Sequence, residues 1–243
     1  MTIHDSRFTI LTNRPLTASV WEMTLAGDVT GVRPGQFVNV RLPGLYLRRP
    51  ISVCDAGNGV LTLVYKTVGT GTDLMATLPK GAVLDLLLPL GNGYDLTAAG
   101  ESPLLLGGGV GVPPLYLTAK QLRAAGKDVS VVLGFNTKDE IFYEDRFRAL
   151  GCRVTVTTAD GSAGTRGFVT DALPDAYSYF YACGPLPMLK AVCGSTHTSG
   201  QLSLEERMGC GFGACMGCTH KTTAGCKRVC KEGPVFTKEE LLW

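Results

Sequence analysis

The chain has 243 residues, of which 45% are hydrophobic and 18% charged, and its formal net charge is +2. This composition is typical of a globular protein and excludes a disordered chain. The mild charge and the lack of any run of five basic residues argue against a nucleic-acid partner. The first residues lack an apolar core of signal-peptide length, and the longest apolar run, residues 102–117, is short and broken by Gly and Pro. We therefore expect a cytoplasmic protein that does not associate with membranes.

Residues 1–98 contain short apolar runs separated by turn signals, a spacing that predicts an antiparallel barrel or sandwich. The sequence DAGNGV at 55–60 predicts a hairpin turn between two of these strands. The segment GTDLMATLP at 71–79 predicts one short helix, with Thr72 or Asp73 as its N-cap. From residue 101 to about 200, strand-like and helix-like segments alternate, which indicates βαβ units and a parallel sheet.

The segment LLLGGGVGVPPL at 104–115 follows a buried strand and precedes a predicted helix. Glycines there allow a close backbone approach, and a helix N-terminus offers free N–H groups to a phosphate. The spacing departs from the GxGxxG dinucleotide fingerprint, so a simple tight turn is the competing interpretation. A second strand-to-helix turn, YACGPLPM at 181–188, favours nucleotide binding, because two such turns form a crevice at the edge of a parallel sheet.

The GGGVGVPP and CGPLPM segments together resemble the nicotinamide domain of the ferredoxin–NADP reductase superfamily. That resemblance implies a flavin-binding barrel before the nucleotide domain, and RPIS at 49–52 occupies the place of its flavin motif. By resemblance, Arg49 pairs with the flavin diphosphate and Ser52 lies near flavin N5. A tyrosine is usual where Ile51 stands, so Tyr65 or another side chain covers that face of the ring. The resemblance also implies that Cys183 lies beside the nicotinamide.

The segment LVYKTVGTGT at 63–72 resembles the second flavin segment of the superfamily. The resemblance therefore implies two catalytic residues and a larger cofactor-binding set. The catalytic residues are Ser52 and Cys183. The cofactor-binding residues are Arg49, Pro50, Ile51, Ser52, Val64, Tyr65, Lys66, Gly71 and Thr72 for FAD, and Gly107, Gly108, Gly109, Gly111, Cys183, Gly184 and Pro185 for NAD.

Five of the nine cysteines lie near the C-terminus, at positions 210, 215, 218, 226 and 230. The first three have the C-x4-C-x2-C spacing of plant-type [2Fe–2S] ferredoxins. Spacing alone leaves both Cys226 and Cys230 open as the fourth ligand. Structural zinc is the main alternative, but it leaves Cys210 unexplained. A Rieske centre is excluded, because no Cys-x-x-His follows the CTH at 218–220.

The segments MGCGFGACMGC and KRVCKEGPVF, with the motifs above, resemble the electron-transfer subunits of class 1B dihydroorotate dehydrogenases. The resemblance implies that Cys210, Cys215, Cys218 and Cys230 are the metal ligands and that Cys226 is not one. It implies a multi-domain α+β chain, with an antiparallel β-barrel FAD domain at 1–98, an α/β parallel-sheet NAD domain at 99–200 and a small ferredoxin-like [2Fe–2S] segment at 201–243.

The same resemblance implies a partner, an FMN-containing (β/α)8 catalytic subunit, in a heterotetramer of two copies of each chain. Electrons would pass from dihydroorotate to FMN, then through [2Fe–2S] and FAD to NAD. The residues 136–140, NTKDE, lack the basic pair that a 2′-phosphate requires, which favours NAD over NADP. Three alternatives stay open: the related subunit of a sulfhydrogenase or ferredoxin–NADP oxidoreductase, a stand-alone NAD(P)H reductase, and a zinc-stabilised NAD-binding sensor without turnover.

Overall fold

The computed structural model describes residues 3–243. The N-terminal part is a closed antiparallel barrel with strand order β1-β2-β5-β4-β3-β6. Its elements are β1 His4–Pro15, β2 Val20–Ala26, β3 Phe37–Val40, β4 Arg49–Gly57, β5 Val60–Lys66, helix α1 Thr70–Thr77 and β6 Val83–Leu90. Alternate side chains fill the interior, which confirms the predicted barrel.

The turn between β4 and β5 is the predicted hairpin, with left-handed backbone at Asn58 (φ 51°) and Gly59 (φ 72°). The predicted N-cap of α1 is wrong. The helix is preceded by Gly69, and no side chain caps it. Thr72 lies inside the first turn, where its hydroxyl accepts the Val68 N–H at 2.9 Å and donates to the Gly69 carbonyl at 3.1 Å.

The second part is a seven-stranded sheet with order β10-β9-β8-β7-β11-β12-β15, parallel except where β15 pairs with β12. Its strands are β7 Leu104–Gly108, β8 Ser130–Phe135, β9 Arg153–Thr158, β10 Thr165–Arg166, β11 Phe180–Cys183, β12 Gly200–Ser203 and β15 Val235–Thr237. The helices are α2 Pro114–Ala124, α3 Glu144–Ala149 and α4 Leu186–Ser195. The alternation predicted from sequence is thereby confirmed.

The C-terminal segment is not a separate layer. It forms a hairpin of β13 Thr219–Thr222 and β14 Gly225–Arg228 and then returns to the large sheet as β15. Val229, Cys230 and Phe236 share one buried cluster with Phe37 of the barrel and Leu202 of the sheet. This packing supplies the core that the segment is too short to build alone. The domain boundary at residue 200 stays a prediction.

Residues 91–93 connect the barrel to the sheet and bind the C-terminal segment through hydrogen bonds. Asn92 donates from Nδ2 to the carbonyls of Glu232 (3.0 Å) and Val235 (2.7 Å), and its Oδ1 accepts the Val235 N–H at 3.1 Å. Gly91 (φ 77°) must be glycine here, because a β-carbon would lie 2.4 Å from Pro234. Within residues 3–243, no helix is both long and apolar enough to cross a bilayer.

Candidate redox site between the barrel, the sheet and the cysteine loop

The two glycine turns of the nucleotide sheet meet at the end of β7 and β11. Gly107 and Cys183 are parallel neighbours in the sheet, and the backbone beyond each strand turns toward the other. A β-carbon on Gly111 would lie 2.2 Å from the Cys183 carbonyl oxygen, and one on Gly108 would lie 2.4 Å from Met188 Sδ. The two glycine turns therefore lie against each other at one edge of the sheet, and glycine is what allows this close approach.

Cys183 ends β11 at this crevice and is partly exposed. Burial of its sulfur raises the pKa of the thiol to about 12, although a hydrogen bond with Ser203 acts in the opposite direction. The thiol is therefore neutral at physiological pH and is not a nucleophile. In this state it can orient a neighbouring group by contact and weak hydrogen bonding.

In the barrel, the structure brings together the two segments that resemble flavin motifs. The Arg49 guanidinium crosses the first turn of α1, and a β-carbon on Gly71 would lie 2.1 Å from Arg49 Nε. Arg49 Nη1 also donates to the Leu47 carbonyl at 2.6 Å. A guanidinium beside the N–H groups of a first helical turn is an arrangement that can bind a diphosphate.

The remaining residues predicted for the flavin differ in exposure. Pro50, Ile51 and Ser52 are partly exposed along β4, and Ile51 packs partly on the barrel core. Tyr65 is only 2% exposed, and its hydroxyl donates to Asn13 Oδ1 at 2.9 Å. Its side chain thus belongs to the barrel interior and not to a ring-covering surface.

Two other residues of the second segment take opposite positions. Val64 is buried, whereas Lys66 is exposed and lines a cleft together with Gly109 and Val110 of the nucleotide domain. The side chains of Thr17 and Ser19 line the same cleft. The cleft therefore connects the barrel segment predicted for FAD with the glycine turn predicted for NAD.

The cysteine loop offers backbone N–H groups to sulfur. Cys210 Sγ accepts the N–H of Ala214 at 3.2 Å and that of Cys215 at 3.5 Å. Burial would raise the pKa of Cys210, but these donors and Phe212 N–H outweigh it and lower the pKa to about 6. The loop thus favours the thiolate, which is the form that binds metal. Gly211 (φ 77°) and Gly213 (φ 93°) permit the required curvature.

Cys218 and Cys230 form a second pair, both 2% exposed. The Cys230 N–H donates to Cys218 Sγ at 3.4 Å. Burial and the neighbouring Cys218 raise the pKa of Cys230 to about 12, so a bound metal ion would have to supply the charge that deprotonates it. Cys226, by contrast, is exposed on β14 opposite Lys221.

Within the described range 3–243, no three His, Cys, Asp or Glu side chains converge enough to hold one ion. A [2Fe–2S] cluster spreads its four thiolates over two irons. Two cysteine pairs, each with an N–H···S hydrogen bond, match this two-iron donor arrangement.

A charged network between the barrel and α3 was missed from sequence. Glu22, 3% exposed on β2, binds Arg14 at 2.7 Å and Arg146 at 2.6 Å and accepts the Tyr143 hydroxyl at 2.7 Å. Burial acts to raise the pKa of Glu22, but the three hydrogen bonds prevail and lower it. The Tyr143 backbone is left-handed (φ 69°), which marks this position as unusual in the structure, but the sequence does not reveal that conformation.

Two family models match the chain. The iron–sulfur cluster binding domain of dihydroorotate dehydrogenase B matches residues 205–242, and the oxidoreductase NAD-binding domain matches residues 105–194. These matches cover the cysteine loop and the glycine crevice. They confirm the predicted iron–sulfur and NAD chemistry of the two regions.

Among curated proteins, the chain is 44% identical to the dihydroorotate dehydrogenase B (NAD(+)) electron transfer subunit of Lysinibacillus sphaericus, over 97% of this chain and 98% of the relative. The same subunit of Fusobacterium nucleatum is 42% identical, with 96% of each chain covered.

Among solved structures, a study of flavin-based electron bifurcation describes an NADH-dependent reduced ferredoxin–NADP oxidoreductase that is 32% identical to this chain. It superimposes with a TM-score of 0.88 over 97% of this chain and 90% of its own. Full-length identity above 40% to curated relatives, together with both domain matches, places the chain in one family. The chain belongs to the family of electron transfer subunits of NAD-dependent dihydroorotate dehydrogenase B.

Proposed function

We propose that this chain carries electrons between NAD and a catalytic partner subunit through FAD and a [2Fe–2S] cluster, in the order dihydroorotate, partner FMN, cluster, FAD, NAD. The observation that carries the proposal is the pairing of Cys210 with Cys215 and of Cys218 with Cys230, each pair sharing an N–H···S bond. When bound, a flavin exchanges electrons in pairs with a nicotinamide and singly with an iron–sulfur cluster.

The barrel residues hold the flavin. Arg49 and the first turn of α1 at Gly71 and Thr72 neutralise and bind the diphosphate. Because the Thr72 hydroxyl is engaged with Val68 and Gly69, it is its backbone N–H that faces the phosphate. Pro50, Ile51 and Ser52 border the ring, and Ser52 offers a hydroxyl near N5. Tyr65 is enclosed in the barrel interior, so it stabilises the barrel and does not cover the ring.

The crevice residues hold the nicotinamide coenzyme. Gly107, Gly108, Gly109 and Gly111 bring backbone N–H groups to the diphosphate. Cys183, Gly184 and Pro185 form the opposite wall, where the neutral Cys183 thiol orients the nicotinamide ring. Beyond β8, Lys138 is the single basic side chain of residues 136–140, so we expect NAD to be preferred over NADP. Comparing the two reduced coenzymes tests this preference, and faster turnover with NADPH would contradict it.

The cluster ligands are Cys210, Cys215, Cys218 and Cys230. The backbone donors at Ala214 and Cys215 stabilise negative charge on Cys210, and the Cys230 N–H does so on Cys218. Such donors favour the reduced, more negative cluster and raise its potential. Cys226 stays outside this set.

The name of the family implies a catalytic partner chain, and we infer that it is an FMN-bearing (β/α)8 subunit in a two-plus-two heterotetramer in the cytoplasm. The cysteine loop presents Phe212 and Met216, 46% and 54% exposed, as apolar contacts for it. Charge reversal at Lys227 or Arg228, two basic residues of the same C-terminal segment, is unsuitable for testing this surface. Arg228 binds Glu232 and the Gly213 carbonyl, and Lys227 binds Glu240, so reversing either charge would disturb the loop itself.

Replacing Phe212 and Met216 by aspartate tests the partner surface. We expect loss of complex formation in analytical gel filtration while cluster absorbance is retained. Phe168→Asp, which alters a 68% exposed side chain of the nucleotide domain, serves as the matched control. Equal binding by the double variant and wild type would contradict this surface.

The first test of the whole proposal is the composition of the protein isolated without air. We expect one FAD, two iron and two sulfide per chain, with flavin and broad iron–sulfur bands in the visible spectrum. When it is produced with its native operon, an FMN-containing subunit should copurify in equal amount. A colourless protein that contains zinc would overturn the proposal.

A further inference from the structure

One buried amide joins the flavin barrel to the first half of the cysteine loop. Asn39 Nδ2 donates to the Cys210 carbonyl at 3.1 Å, although 171 residues separate the two in sequence. Asn39 is 1% exposed. It lies on β3 directly opposite Pro50 of β4, so its anchor point is the strand next to the RPIS segment.

The loop backbone is shaped to receive this amide. A β-carbon on Gly211 would lie 2.0 Å from Asn39 Nδ2, and the φ of Gly211 is 77°. Glycine therefore serves two purposes at this position, namely the turn of the loop and the close approach of Asn39. The Asn39 side chain and the Gly211 backbone therefore fit closely against each other.

The same amide also carries a buried acceptor that the contact does not use, which separates it from ordinary packing. Asn39 Oδ1 is buried and, within residues 3–243, has no hydrogen-bond partner. A buried acceptor without a partner is unfavourable, and an apolar side chain of similar size would avoid that cost. The neighbouring outward side chain on β3, Phe37, follows the apolar pattern and joins the buried cluster with Cys218 and Cys230.

The two halves of the loop are held differently. The half with Cys218 and Cys230 is buried and is also gripped through Asn92. The half with Cys210 and Cys215 is more exposed: Cys215 is an exposed residue and Cys210 a partly exposed one. The exposed half thus depends more on directed hydrogen bonds, from Asn39 to the Cys210 carbonyl and from Arg228 to the Gly213 carbonyl, than on apolar burial.

We propose that Asn39 is a positioning residue that fixes the Cys210 half of the cluster loop against the flavin strand. This inference rests on the proposed flavin and [2Fe–2S] cofactors. Held at its carbonyl, Cys210 keeps its sulfur in reach of the Ala214 and Cys215 N–H groups. Hydrogen bonds to the ligand sulfurs help set a cluster's potential, so Asn39 contributes to that potential through the backbone.

The test uses Asn39→Leu, which removes the donor and the unpaired acceptor at similar volume, and Asn39→Ala, which removes both together with the bulk of the side chain. In the purified full chain with its partner, we expect unchanged flavin content and an unchanged rate of flavin reduction by NADH. The midpoint potential of the cluster should fall, its electron paramagnetic resonance lines should broaden, and its reduction should slow roughly tenfold. Asn39→Leu should unfold no earlier than wild type.

Gln201→Met is the matched control, since Gln201 is another buried amide (5% exposed) and binds the Asp95 backbone away from the loop. We expect it to leave the cluster potential and line shape unchanged. Wild-type potential and line shape in both Asn39 variants would overturn the inference. A wild-type protein without flavin and iron would instead overturn the proposed function, so the two failures are distinguishable.

Discussion

The Cys230 N–H points at Cys218 Sγ, 3.4 Å away, whereas Cys226 lies exposed on the neighbouring hairpin strand. Both cysteines are close enough in sequence to serve as a fourth ligand. The three-dimensional arrangement favours Cys230, because its side chain is enclosed with Cys218 in one buried cluster.

This arrangement predicts opposite effects of two serine substitutions. Cys230→Ser should lose the cluster, because one iron would retain only a single thiolate. Cys226→Ser should keep full iron and sulfide content. The measurement is iron and sulfide per chain together with the visible spectrum. An intact cluster in Cys230→Ser, with loss in Cys226→Ser, would reverse the assignment.

Gly111→Ala should weaken coenzyme binding. The added β-carbon would lie 2.2 Å from the Cys183 carbonyl and would force the two crevice walls apart. Since a displacement of about 1 Å can cost up to roughly a hundredfold in rate, we expect at least about a tenfold loss in kcat/KM for NADH with ferricyanide as acceptor.

Gly194→Ala is the control for Gly111→Ala. A β-carbon on Gly194, in α4, meets nothing within 4 Å. It should leave NADH turnover unchanged and raise the unfolding free energy by up to about 1 kcal/mol, because alanine is the better helix former. Equal activity of both variants would show that the crevice does not bind the coenzyme.

Gly71→Ala should release flavin. Its β-carbon would lie 2.1 Å from Arg49 Nε and displace the guanidinium from the first turn of α1. Charge-assisted hydrogen bonds contribute roughly 1.5–3 kcal/mol each, so flavin affinity should fall at least about tenfold. The flavin-to-protein ratio after desalting measures this. Gly57→Ala, where a β-carbon meets nothing within 4 Å, should retain flavin; a full flavin complement in Gly71→Ala would contradict the assignment.

Glu22→Gln should loosen the contact between the barrel and α3. Losing the charged hydrogen bonds to Arg14 and Arg146 should lower the unfolding free energy by roughly 1.5–3 kcal/mol at pH 7. Because the pKa of folded Glu22 lies below its ordinary value of 4.5, its contribution is present above that pH and is lost as pH falls through the folded pKa.

The difference between wild type and Glu22→Gln should therefore be constant near neutrality and shrink in acid. Urea denaturation between pH 7 and the acid limit of the native state measures it. A difference that grows toward acid pH would mean that Glu22 is protonated in the native protein, contrary to the observed partners.

The sequence identifies features whose physical cause is local. Alternating apolar residues predict the barrel strands. The glycines of 107–111 predict a tight turn at which two backbone segments approach closely. The cysteine spacing predicts the iron–sulfur loop because most of its proposed ligands lie close together in the sequence. Thr72 shows the limit of such local rules, because its hydroxyl serves the turn before the helix and not the predicted cap.

Other features depend on contacts between distant residues and give no sequence signal. An asparagine on a strand, such as Asn39, is unremarkable until the fold brings Cys210 to it. Likewise, nothing in the run around Val235 shows that it pairs with β12 in the larger sheet. The partners of Glu22 come from both parts of the chain, so no periodicity could reveal them.

The central claim is that electrons pass within this chain between NAD, a flavin and a [2Fe–2S] cluster. An anaerobic titration of the purified complex with NADH, followed by absorbance and electron paramagnetic resonance, tests it most directly. We predict bleaching of the flavin bands together with the signal of a reduced [2Fe–2S] cluster. Flavin bleaching without any cluster signal, at potentials low enough to reduce the cluster, would contradict the relay.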